Sequence, residues 1–163
     1  MKKIYIFILL VVLTACKGTN FSSSVPTMPV RIDISILGEY VHFTPTNAGA
    51  YLEFVRPTKK FTEAYGYAGV VVYVTMDARY VAFDLCCPHC LNPEKPCRMD
   101  NGPSTSGKLQ TGIYAVCPVC TEAYDLSFGL ATPTNKNLKT KEALRQYNAS
   151  YNSATGILRI TQK

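Results

Sequence analysis

Six of the chain's seven cysteines lie between positions 86 and 120. Five of those six sit in two short knuckles, Cys86-Cys87-Pro88-His89-Cys90 and Cys117-Pro118-Val119-Cys120. Each knuckle follows an apolar strand-like run, Val81 to Leu85 before the first and Ile113 to Val116 before the second. Thiolate and imidazole groups presented a residue or two apart at the ends of two strands are suited to pinching one metal centre between two loops. The spacing admits two ligand sets. Cys87, Cys90, Cys117 and Cys120 give four thiolates around a tetrahedral Zn²⁺ or a single iron. Cys87, His89, Cys117 and Cys120 give three thiolates and one imidazole. The alternative is a disulfide framework with no metal, since cysteines of exported chains commonly pair.

Export is itself an expectation from the N-terminus. Met1-Lys2-Lys3 is a short basic start, Ile4 to Leu13 is an apolar run too short to span a bilayer, and Leu13-Thr14-Ala15-Cys16 closes it. This segment resembles a bacterial lipoprotein signal, which implies cleavage before Cys16 and a lipid on its sulfur. Lys17, by similarity to Gram-negative sorting signals, implies the cell envelope and an outer-membrane anchor facing the periplasm. Residues 16–29, small and polar with Pro26 and Pro29, have the composition of a tether. Loss of Lys2 and Lys3 lowers the formal charge from +6 to +4. With no basic run beyond Lys59-Lys60, that balance argues against a nucleic-acid partner and leaves the lipid membrane as the expected one.

Residues 30–163 are long enough for one core. Ten Gly, ten Pro and eleven Tyr, with no sustained helical period, predict an all-β domain. Strands are expected at Arg31 to Ile36, Tyr40 to Phe43, Tyr51 to Val55, Val70 to Val74, Arg79 to Leu85, Ile113 to Val116, Glu122 to Leu126, Leu144 to Tyr151 and Ile157 to Thr161. Met76-Asp77-Ala78 reads as a hairpin turn, and Lys139 to Arg145 has room for a turn or two of helix.

The run Val81-Ala82-Phe83-Asp84-Leu85-Cys86-Cys87-Pro88-His89, then Ala115-Val116-Cys117-Pro118-Val119-Cys120, Tyr124-Asp125-Leu126 and Gly129, resembles the Rieske iron–sulfur domain. The similarity runs from about Val70 to Ile160. It implies an antiparallel β-sandwich or barrel with a small metal-loop subdomain. It further implies a [2Fe–2S] cluster held by Cys87, His89, Cys117 and Cys120, with Cys120 standing where the family has His. A thiolate there implies a potential below the histidine-pair range. Tyr124 keeps the family's aromatic position and is expected to donate to the centre through its hydroxyl; the other role open to it is that of a core aromatic with a polar tip. With that ligand set, Cys90 and Cys97 would be left to close a small loop; with four thiolates bound, Cys86 and Cys97 would remain.

Three classes of function follow. One is membrane-anchored one-electron transfer through the cluster to a redox partner protein. Another is a structural or binding module in which the same loops hold Zn²⁺ or disulfides. A catalytic oxygenase is disfavoured, because only His42 and His89 are present and a separate catalytic iron domain does not fit. His42, in an alternating pattern, reads as a surface histidine, and Asp84 and Asp125 as turn caps. No Gly-x-Ser-x-Gly elbow, His-Glu-x-x-His helix or phosphate loop occurs.

Overall fold

The computed structural model describes residues 22–55, 63–135 and 141–163. Cys16 and the apolar segment before it lie outside these, as do Lys139 and Thr140. Among the described residues there is no helix. Twelve strands form two antiparallel sheets. The larger is a curled half-barrel with the order β3 (Ala64–Tyr65), β1 (Val30–Ser35), β12 (Ile157–Thr161), β11 (Gln146–Asn152), β5 (Tyr80–Asp84), β4 (Val70–Val74), β2 (Ala50–Phe54) and β7 (Gln110–Thr111). The smaller runs β10 (Thr132–Pro133), β9 (Ala123–Asp125), β8 (Tyr114–Val116) and β6 (Arg98–Met99).

The side-chain period of two explains why the central strands read as continuous apolar runs. In β1 only alternate residues are buried, Val30, Ile32 and Ile34. In β2 and β4 every residue is buried, because both faces are covered. Leu52, Phe54, Val70, Val72 and Val74 point into the curl, where they meet Ile32, Ile34, Leu158 and Ile160. Tyr51, Val71 and Tyr73 point the other way, with Val81 and Phe83 of β5, against Met99, Ala115, Tyr124 and Leu126 of the small sheet. The cysteine loops lie within this second core.

Two expected elements differ. Tyr40 to Phe43 is a turn, closed by Tyr40 N–H on the Ser35 carbonyl at 3.0 Å and Phe43 N–H on the Tyr40 carbonyl at 2.8 Å. Its alternation comes from Phe43 folding inward, where the Tyr80 hydroxyl donates to the Phe43 carbonyl at 2.7 Å, while Val41 stays exposed. Residues 141–145 are irregular rather than helical, with Ala143 and Leu144 buried and Leu144 N–H bonded to the Ala131 carbonyl. The Thr75–Arg79 hairpin forms as the sequence predicts, with Ala78 in the left-handed region at φ 62°.

Within the expected tether, Ser23 to Val25 lies against the fold. Arg145 Nε donates to the Val25 carbonyl at 2.6 Å and its Nη2 to the Ser23 carbonyl at 3.1 Å. The Glu142 carboxylate accepts from Ser24 N–H at 2.7 Å. The Val25 side chain is wholly buried, and its burial outweighs the Ser-rich composition around it.

Candidate metal centre

Each knuckle grows from a different sheet. The first leaves the end of β5: Asp84 closes the strand, and Leu85 bridges onward, its N–H on the Gly69 carbonyl and its carbonyl accepting from Cys97 N–H at 2.7 Å. The second knuckle is the β8–β9 hairpin loop, closed by Cys117 N–H on the Glu122 carbonyl at 2.8 Å. A site made from both loops joins the two sheets.

The loops have the same local form. Leu91 N–H returns to the Cys87 carbonyl and Thr121 N–H to the Cys117 carbonyl, each at 2.9 Å. The residue after each second cysteine is left-handed, Leu91 at φ 49° and Thr121 at φ 59°. That conformation is unfavourable for Leu and more so for β-branched Thr, so both knuckles hold their cysteines in place at a local cost of about 1–2 kcal/mol.

The result is a closed group of four thiols. The sulfurs of Cys87, Cys90, Cys117 and Cys120 all lie within 4.8 Å of one another. Cys87 Sγ is 3.7 Å from Cys120 Sγ, and Cys117 Sγ is 3.8 Å from Cys90 Sγ. A tetrahedron built on a metal–sulfur bond near 2.3 Å has edges of about 3.8 Å. The four cysteines can therefore bind a metal ion. All six described cysteines are free thiols, so none of the pairings weighed from the sequence is formed. His89 is exposed at the tip of the first knuckle and does not belong to the group. A tight turn brings the first and last residues of Cys-x-x-Cys to one side and leaves the residue before the last cysteine pointing outward.

Electrostatics divide the four into two kinds. Cys117 is lowered to about 4, chiefly because the Cys97 thiol donates to it; burial opposes this, and the backbone N–H groups of Cys120 and Val119 add to it. Cys87 is lowered to about 6 by the Cys97 thiol against burial, with help from the Tyr124 hydroxyl and the N–H groups of Cys90 and His89. Burial leads in raising Cys120 to about 11, and it leads again in pushing Cys90 upward. Each knuckle thus pairs one cysteine lowered with one raised, since four adjacent negative charges are not tolerated without a cation.

Tyr124, buried on β9, places its hydroxyl 3.2 Å from Cys87 Sγ. The sequence had not placed Cys97 at the centre. The pair Arg98↔Val116 in the β6–β8 ladder sets Cys97 opposite Cys117, and it is buried there, its own thiol pushed far up by the neighbouring Cys117 and Cys87. Only a two-residue strand makes that register, so no periodicity announces it. Cys86 is also buried but turns away, its thiol facing the Cys87 carbonyl and raised to about 12 by burial.

The remaining candidates have structural work. Asp84 accepts from the N–H groups of Tyr67, Ala68 and Cys86 and from the Tyr147 hydroxyl. Asp125 caps Ser127 N–H at 2.8 Å, and Glu122 accepts from Asn135 N–H at 3.0 Å. His42 is exposed. No protein-family model matches the chain, and no curated protein does either.

Proposed function

We propose that the chain is an exported β domain whose Cys87, Cys90, Cys117 and Cys120 hold a single tetrahedral metal ion, Zn²⁺, as a staple between its two sheets. The observation that carries this is the pair of sulfur–sulfur distances, 3.7 and 3.8 Å, within a group no wider than 4.8 Å. A [2Fe–2S] cluster, which the Rieske resemblance implies, puts two irons and two sulfides between its thiolate pairs and needs them further apart. Four thiolates also suit Zn²⁺, which takes all-cysteine structural sites without an open position. The function that follows is that of a binding or assembly module with no reaction of its own. Leu13-Thr14-Ala15-Cys16 supports a lipid anchor in the bacterial envelope, with the domain outside the cytoplasm.

One-electron transfer is the second reading. It is favoured by the part-exposed sulfurs of Cys90 and Cys120 beside exposed apolar Leu91 and Val119, an edge at which an iron centre would be reachable by a partner. Metal and acid-labile sulfide content of the chain purified without oxygen from its native envelope, with a visible spectrum, separates the possibilities. One zinc and no sulfide is the expected result. One iron without sulfide, or two irons with two sulfides, each with a reducible chromophore, would replace the structural role by electron transfer.

A further inference from the structure

The strap Ser23–Val25 does more than pack: it ends on the first knuckle. Ser24 Oγ donates to the carbonyl of Pro88, between Cys87 and His89, at 3.1 Å. Arg145 and Glu142 hold the same three residues from the other side. Among the described residues, the N-terminal segment therefore meets the fold beside the first knuckle.

That entry point restricts how the domain can sit on a membrane. Ser24 lies eight residues past Cys16. Fully extended chain spans at most ~3.3–3.6 Å per residue, so Pro88 stays within about 30 Å of a lipid carried on Cys16. A domain of this length is about 35 Å across. The tether is too short to let the opposite pole face the bilayer while the strap is docked. The knuckle pole carries the appropriate side chains. Leu91 and Val119, each one step from a ligand cysteine, are 42% and 49% exposed, with His89 and Pro118 exposed beside them. Far from this pole is the β11–β12 turn, where Leu37 packs by Gly156. Seven residues of β11 separate it from Arg145, about 23 Å at roughly 3.3 Å per residue.

We infer that the two knuckle tips form a membrane-facing surface, with Leu91 and Val119 resting in the headgroup layer of the bilayer that anchors Cys16. This rests on the lipid anchor proposed above. Two apolar side chains bind a lipid surface weakly by themselves, and the short tether supplies the effective concentration that makes the contact persist. The metal centre then lies at the membrane, its part-exposed sulfurs turned away from the open aqueous phase.

The chain contains no tryptophan, so Leu91→Trp, Val119→Trp and Leu37→Trp are each single-reporter proteins. The full lipidated chain carrying each change is placed in phosphatidylethanolamine–phosphatidylglycerol vesicles with brominated acyl chains, after metal content has been matched to the unchanged protein. Quenching at least threefold stronger at positions 91 and 119 than at 37 is expected. Equal quenching at all three, or stronger quenching at 37, would overturn the orientation while leaving the anchor intact. An intact mass without lipid on Cys16 would overturn both together. If the knuckle reporters are untouched by brominated lipid but shielded from iodide only in native envelope, the occupant is a protein and the lipid surface is refuted.

Discussion

Replacing Cys90 and, separately, His89 by alanine tests which residue of the first knuckle completes the site. In the structure Cys90 Sγ is one of the four clustered sulfurs and His89 lies outside the group. Structural zinc sites in small peptides bind with apparent free energies of about 10–16 kcal/mol, so one of four equivalent ligands contributes about 2.5–4 kcal/mol. At 1.4 kcal/mol per decade, Cys90→Ala should weaken zinc about 60- to 700-fold. His89→Ala removes an exposed imidazole and leaves intact the backbone N–H that supports Cys87, so affinity should change less than about threefold. Competition against a chromophoric zinc chelator at fixed pH measures both, with circular dichroism of the metal-loaded proteins confirming that each has folded. The reverse order, a hundredfold loss in His89→Ala with Cys90→Ala near the parent, would refute the four-thiolate site and restore the three-thiolate, one-imidazole set.

Asp84 gives a pH-dependent test. Burial dominates its four donors and holds its carboxyl above the ordinary value near 3.8, so its stabilising contribution is complete below that value and is lost as pH rises through the folded one. Tyr147→Phe removes a donor and raises the folded value further; urea melts should show a loss about 1–2 kcal/mol larger at pH 7 than at pH 3.5, and an equal loss at both would exclude the effect. Two glycines of nearly identical φ, Gly66 at 68° and Gly156 at 67°, should differ sharply on change to alanine. A Cβ at Gly66 meets the Tyr147 hydroxyl and the Asp84 carboxylate inside the buried network, whereas at Gly156 it meets the exposed, movable Leu37. Thermal unfolding should fall by about 1 kcal/mol for Gly156→Ala and by at least twice that for Gly66→Ala. Chelation should raise hydrogen exchange of Ala115 and Tyr124 amides by tenfold or more while leaving Ile32 and Ile160 protected; uniform exposure of both sheets would refute a local staple.

The parts legible in the sequence are those where one physical signal dominates. Val70 to Val74 is buried on both faces and reads as an uninterrupted β-branched run, and Arg31 to Ile36 alternates because one face is in water. Tyr40 to Phe43 alternates equally well yet forms a turn, since a four-residue pattern does not distinguish a strand from a loop that tucks in one aromatic. β3, β6, β7 and β10 have two residues each, too few to carry any period, and with them went the register that brings Cys97 to Cys117. The two knuckles were visible as spacing. Which of His89 and Cys90 joins the group was not, because positions two and three after Cys87 both reach a metal in principle; in the structure Cys90 lies among the four sulfurs and His89 is exposed. Around Ser23–Val25, composition pointed to tether, while in the structure the Val25 side chain is wholly buried.

The two cores show what a metal ion at the four cysteines would add to the fold. Inside the curl, Ile32, Leu52, Val72, Leu158 and their neighbours close a core that contains no cysteine and depends on long, fully laddered strands. The small sheet has strands of two and three residues, and its Ala115, Tyr124, Leu126 and Met99 share one core with Tyr51 of β2, Val71 and Tyr73 of β4 and Val81 and Phe83 of β5. Short strands leave little hydrophobic and ladder energy to offset the ordering of the loops between them, which run from Cys90 through Ser104 to Gln110. A metal ion held by the four cysteines would fix one loop of each sheet to a single point and supply that deficit at the place where it arises. The Tyr124 hydroxyl on Cys87 and the register that sets Cys97 opposite Cys117 bring β9 and β6 to the same point. The strap Ser23–Val25, bonded to Pro88 on one side and to Glu142 and Arg145 on the other, joins the first knuckle to the segment that leads into β11.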